Sequence, residues 1–69
     1  MPVKTTLNIR SKLPISRAIG HDILGRILFD VKGNGSKSLS INVTYLESAY
    51  YNLSIYLSGK VVNKRFIKQ

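Results

Sequence analysis

Apolar residues recur along this chain with a period of two. Leu7 and Ile9 alternate with polar neighbours, and Leu39, Ile41 and Val43 alternate with Ser38, Ser40 and Asn42. Tyr51, Leu53, Ile55 and Leu57 share one face of a further extended stretch, with Asn52, Ser54 and Tyr56 on the other. Successive side chains of a strand point to opposite faces, so this spacing predicts strands with one apolar and one polar side. Helical periodicity is sustained nowhere, and no long helix is predicted.

Breakers divide the pattern into short pieces. Leu13-Pro14 ends the first run, because proline cannot continue a central strand. Residues 15–22 form a second expected strand, in which Gly20 is a weak point and the mark of a bulge. Leu24-Gly25-Arg26 reads as a tight turn, and Ile27 to Val31 resumes an extended pattern. That run stops at Lys32-Gly33-Asn34-Gly35, the strongest turn signal in the chain, read here as the turn of a hairpin. Leu46 to Ala49 is a short bend. Ser58-Gly59 closes a hairpin into a final strand from Lys60 to Ile67. About six to seven short strands separated by turns predict an all-β fold, a sandwich of two antiparallel sheets.

Size narrows the function. With 69 residues the chain is one small domain, burying about 60% of the surface its unfolded form exposes. That leaves no room for a deep catalytic cleft beside a core. The hydrophobic fraction of 43% is enough to fold. Cysteine is absent, which excludes disulfides and thiolate chemistry. The net charge of +8, with only three acids, favours an anionic partner or serves solubility. Apolar runs such as Ile27-Leu28-Phe29 are far too short to cross a membrane as a helix. The opening residues, Met1 to Thr6, lack the apolar segment of a signal peptide.

Candidate chemistry is sparse. His21 and Asp22 are adjacent on an expected strand, so their side chains diverge rather than converge as a base and its orienting carboxylate must. No serine sits in a nucleophile-elbow pattern. One histidine and three scattered acids supply no metal site, and no cofactor motif is present. Lys32 to Lys37 lacks the spacing of a phosphate-binding loop. Asn42-Val43-Thr44 and Asn52-Leu53-Ser54 match the glycosylation sequon, which arises readily by chance in a chain this rich in Asn, Ser and Thr. No enzyme is expected. A nucleic-acid or other polyanion binder stays open, since Tyr45, Tyr50 and Tyr56 could serve as stacking platforms on a basic surface. Against it, the cations are spread from Lys4 to Lys68 without an RNA-binding signature. An adhesion or carbohydrate-binding module, using Tyr50 and Tyr56, is a third reading.

Three stretches in order point elsewhere. These are Pro2-Val3-Lys4-Thr5-Thr6-Leu7-Asn8-Ile9, then Asp22-Ile23-Leu24-Gly25-Arg26, then Ser40 to Val43 and Leu46 to Tyr51 leading through Gly59-Lys60 to Lys64-Arg65-Phe66-Ile67-Lys68-Gln69. In this order and spacing the chain resembles the type A C-terminal sorting domain of the Bacteroidetes type IX secretion system, over essentially its whole length. Members open on Pro-Asn-Pro, turn at an apolar-Tyr-Asp-x-x-Gly-Arg/Lys motif, show Leu-x-x-Gly-apolar-Tyr before a last hairpin, and end on a basic Lys-Lys-Phe-like tail. Met1-Pro2 stands where the family has Asn-Pro, which reads as residues 1–69 excised as a single domain from a larger exported protein. Ala49 stands where glycine is usual; if that position needs positive φ, alanine costs about 1 kcal/mol or more. Gly20-His21 replaces an apolar-Tyr pair, which weakens a core strand. Tyr50 is larger than the usual Val or Ile.

The resemblance implies an immunoglobulin-like β-sandwich without catalysis or cofactor. It implies a C-terminal signal that takes a cargo, already in the periplasm, across the outer membrane to the cell surface or the medium. The implied partners are the translocon and its attachment machinery, with cleavage of the domain and linkage of the cargo to anionic lipopolysaccharide in many members. No nucleic-acid partner is expected on this reading. Pro2, Asp22, Gly25, Arg26, Tyr51 and Gly59 would carry the structural motif, with Gly25 at positive φ and Tyr51 in the core. Lys60, Lys64, Arg65, Phe66 and Lys68 would form the part of the signal that a partner reads, with the lysines on the solvent side of the last strand. The same charges would equally guard that strand's edge against aggregation.

Overall fold

The computed structural model describes residues 2–69. It contains seven strands: β1 (Pro2–Val3), β2 (Thr6–Arg10), β3 (Ile15–His21), β4 (Ile27–Lys32), β5 (Ser38–Asn42), β6 (Ala49–Leu57) and β7 (Lys60–Lys68). They form two sheets, one of five strands in the order β1-β7-β6-β3-β4 and one pairing β2 with β5. All pairs are antiparallel except the short β1–β7 contact, which is parallel. The order β7-β6-β3-β4 facing β2-β5 matches the G-F-C-C′ and B-E sheets of an immunoglobulin variable-type sandwich. The expected fold class therefore holds, with β1 added as a parallel edge strand.

Period-two patterning does what it predicted. Leu7 and Ile9 point inward from β2, and Tyr51, Leu53 and Ile55 point inward from β6, while their alternate neighbours Thr6, Asn8 and Asn52 face water. Ile15 and Ala18 of β3 and Phe66 of β7 complete the five-stranded side of the core, and Ile41, Val43 and Leu46 the other. Pro2 sits on the outermost strand, where its missing N–H removes no ladder bond from a central position.

Two glycines have specific spatial reasons. At Gly20 an added Cβ would lie 2.2 Å from the Phe29 ring, so the ring of the neighbouring strand covers the glycine. The weakening expected at Gly20 is thus offset by Phe29, and the expected bulge is present as a register shift between Gly20 and His21. At Gly33 a Cβ would meet the Ile15 carbonyl oxygen at 2.0 Å. The Gly33 amide donates to the Ser16 carbonyl at 2.9 Å.

That second contact explains a correction. Lys32-Gly33-Asn34-Gly35 is not a hairpin turn, because β4 pairs with β3 and β5 with β2. The segment crosses from one sheet to the other, held by bonds from the Ile15 amide to the Ser36 carbonyl and from the Ser11 amide to the Lys37 carbonyl. Ala49 does not occupy a left-handed turn either. It lies in β6, and among the described residues positive φ occurs only at Gly25, Gly35 and Gly59. Alanine at 49 therefore carries no left-handed strain.

Candidate functional site

Three stretches distant in sequence meet at one end of the sandwich. The first is the β3–β4 turn. The Asp22 carboxylate accepts hydrogen bonds from the Leu24 and Arg26 amides, each at 2.9 Å, and from the Arg26 guanidinium. The Asp22 and Arg26 backbones also pair, and the Gly25 amide returns to the Asp22 carbonyl at 3.0 Å. Gly25 completes the reversal at φ 85°, a conformation glycine adopts without penalty. Burial disfavours the charged carboxylate of Asp22, but these donors outweigh it and hold its pKa below the ordinary value. The Asp-x-x-Gly-Arg spacing is thus a self-contained loop, with both carboxylate oxygens occupied.

The second stretch is the corner from Thr44 to Tyr51. The Tyr51 hydroxyl donates to the Glu47 carbonyl at 2.6 Å, the tyrosine corner that immunoglobulin-like folds place at the start of this strand. Its ring stacks on Phe66 with centroids 5.4 Å apart. Burial raises the phenol pKa, and the nearby Glu47 and Asp22 carboxylates raise it further. The third stretch is the end of β7, where Phe66, Ile67 and Lys68 lie opposite Tyr51, Tyr50 and Ala49. Between turn and corner runs an open groove of about 690 Å³, lined by Ile23, Leu28, Tyr45, Glu47 and Tyr50 with the Asp22–Arg26 pair alongside.

The residues expected to be read by a partner divide. Lys60, Lys64 and Arg65 are exposed. Lys60 follows the hairpin whose positive φ is taken by Gly59, at the opposite end of β6 from Ala49. Lys64 lines a small cleft of about 80 Å³ with Asn8, Arg10 and Ile55. The Arg65 guanidinium lies over the Tyr50 ring, 5.9 Å from its centroid. Phe66 is 1% exposed and belongs to the core. Lys68 is 8% exposed, which corrects its expected solvent-side position. It shares the inward face of β7 with Phe66, two residues before it, so its stem is covered and its ammonium reaches the Gln69 carbonyl at 3.3 Å. The four cations do not form one face.

Tyr56, like Tyr50, already carries an arginine. The Arg17 guanidinium lies 5.8 Å from its ring centroid and also holds the Asp30 carboxylate, through Nε at 2.7 Å and through a second nitrogen. Among the described residues no three His, Cys, Asp or Glu side chains gather to hold a metal. The groove itself escaped sequence reading. Its signal was the pair Ile23-Leu24 inside a turn, two large apolar residues where exposed polar ones are the rule.

The model of the family described as the secretion system C-terminal sorting domain matches residues 1–69, the whole chain. No curated protein and no solved structure matches it.

Proposed function

The chain belongs to the secretion system C-terminal sorting domain family, and on that premise we propose how its folded surface carries the address. A domain of this kind is the C-terminal signal that sends a protein through the type IX secretion system to the cell surface or the medium. The observation that carries the reading is the match over every residue, on a chain whose Asp22–Arg26 turn, Tyr51 corner and last residues of β7 lie at one end of a two-sheet sandwich.

The signal is read on the folded domain, not on a loose basic tail. Phe66 and Lys68 contribute by closing the sandwich. Lys60, Lys64 and Arg65 stay on the surface for a protein partner in the translocon or its attachment machinery. Asp22, Gly25, Arg26 and Tyr51 set the shape of the end where β7 finishes. The domain acts as a binding module without catalysis, and its cargo is either released or attached to lipopolysaccharide. The test is a fusion of a periplasmic signal peptide, a fluorescent protein and this domain in a Bacteroidetes host. Surface or medium fluorescence that vanishes in a strain without the translocon is the expected result. Retention of a folded fusion in the periplasm of the intact strain would sink the reading.

A further inference from the structure

Large apolar side chains are exposed unevenly on this domain. Ile23 is 76% exposed, Leu24 75%, Tyr45 64%, Ile27 62% and Tyr50 56%, whereas the next such residue, Val61, is at 49%. Those five belong to the β3–β4 turn with the start of β4, and to the corner before and the start of β6. Ile23, Tyr45 and Tyr50 line the groove itself. Scattered single apolar residues need no explanation, but a cluster around a concavity marks an interaction site. None of them supports the core: the turn is closed by Asp22 and Arg26, and the corner by Tyr51.

Charge identifies what the groove accepts. Of the three acids, Asp22 is paired with Arg26 and Asp30 with Arg17. Among the described residues Glu47 has no ion-pair partner, although the chain carries a net +8. Glu47 is exposed and is one of the residues lining this mostly apolar groove, together with Tyr45 and Tyr50. An apolar ligand seated there would strip water from it, which is costly unless a cation arrives with the ligand.

We propose that this groove docks a protein segment presenting an apolar side chain next to a lysine or arginine, the cation meeting Glu47. Ile23, Tyr45 and Tyr50 grip the apolar part, as buried aromatic and aliphatic anchors do in protein interfaces. A negatively charged lipid surface fits less well, because it would meet the Glu47 carboxylate with like charge and a flat face with a concave one. That the segment belongs to the export machinery rests on the sorting reading; the chemistry of the groove does not.

The experiment is an NMR titration of the 69-residue chain with a capped peptide carrying Leu-Lys-Phe at its centre, beside the same peptide with Glu for Lys. The expected result is shifts confined to Ile23, Leu28, Tyr45, Glu47 and Tyr50 with the lysine peptide. Affinity should fall by about tenfold with the glutamate peptide, and by a similar factor in Glu47→Lys. Ile23→Ser, at an exposed position, should abolish the shifts while leaving the rest of the spectrum folded. No shifts up to the solubility limit, equal binding of both peptides, or shifts along the β7 edge would overturn the proposal. Binding to phosphatidylglycerol vesicles that Ile23→Ser abolishes, without peptide binding, would replace it with membrane docking. Concentration-dependent shifts at the groove without peptide would replace it with self-association. In the fusion assay, export of wild type but not of folded Ile23→Ser or Glu47→Lys is expected. Export of all three overturns the groove's part in export and leaves the sorting reading standing, while failure of wild type overturns the sorting reading and leaves the groove to the titration.

Discussion

Replacing Phe66 with alanine should unfold the domain, although this residue lies in the basic tail. Its ring is 1% exposed and stacks on Tyr51 at 5.4 Å. Burying an aromatic side chain removes about 150–250 Å² from water, or about 4–6 kcal/mol at about 25 cal/mol per Å². Because alanine keeps some of that burial, the cost of truncation is better taken as about 3–5 kcal/mol, with about 0.5–1.5 kcal/mol more for the lost ring pair. On the other side, 69 residues at about 0.05–0.15 kcal/mol each give a total stability of about 3–10 kcal/mol. Domains this small without staples fall at the low end. The loss therefore matches or exceeds the whole. Phe66→Leu retains most of the volume and should cost only about 1–2 kcal/mol. The assay is urea unfolding followed by the near-ultraviolet signal of the tyrosines. A Phe66→Ala midpoint equal to wild type would refute the packing argument. A Phe66→Leu variant that folds like wild type but is not exported would show that a partner reads the ring itself. Deletion of Lys64 to Gln69 cannot separate these cases, since it removes this core residue together with the β1–β7 pairing.

Three further outcomes follow from the same structure. The Asp30 carboxylate is held below its ordinary pKa by the Arg17 hydrogen bonds against a smaller effect of burial, and Asp22 is lowered by its turn donors despite burial. A depressed folded pKa gives stability that is complete above the unfolded value, about 3.9, and is lost as pH falls through the folded value. Stability curves of wild type and Asp22→Asn should hence be separated near neutral pH and converge in acid; a constant separation would count against the turn bonds. Gly20→Ala should cost about 1–3 kcal/mol by displacing the Phe29 ring, and adding Phe29→Leu should recover part of it in a double-mutant cycle; strict additivity would mean that the ring is not the obstacle. Ala49→Gly should destabilise by about 0.5–1 kcal/mol in thermal unfolding, since a glycine within a strand loses entropy without relieving any strain here; stabilisation would show that position 49 needs a left-handed backbone.

The strands were legible because burial on one face writes a period of two into the sequence, and β2, β5 and β6 carry it cleanly. The turns at Gly25 and Gly59 were legible for a local reason, since positive φ selects glycine. What escaped was everything set by partners far along the chain. The Lys32 to Lys37 segment has hairpin composition, but its glycine is needed against the β3 backbone, so it crosses between sheets. Gly20 looks like a defect until Phe29 is placed over it. Lys68 reads as a surface charge, and only the alternation anchored at Phe66 turns it inward. The motif residues could be named singly, but their convergence depends on register, which pairs Lys68 with Ala49 and His21 with Asn52.

Charge shows the same division most sharply. Composition alone, at +8, describes a uniform cation and points to a polyanion. In the fold, among the described residues, ion pairing claims only Arg17 and Arg26 of the eleven Lys and Arg residues, but it claims both aspartates. The remaining positive charge is dispersed over both faces and both ends, as Lys60, Lys64 and Arg65 illustrate along one strand. Such a diffuse field speeds encounter with an acidic surface but cannot fix orientation. Orientation needs a feature that occurs once. The groove between Ile23 and Tyr50 is lined by three of the five most exposed large apolar side chains and by Glu47, which among the described residues is in no ion pair. On the docking proposal, a partner that reads this domain in a single pose would gain its long-range attraction from the cations and its register from that end of the sandwich. Neutralising Lys60 or Lys64 should slow association, whereas changing Ile23 or Glu47 should shorten the life of the complex.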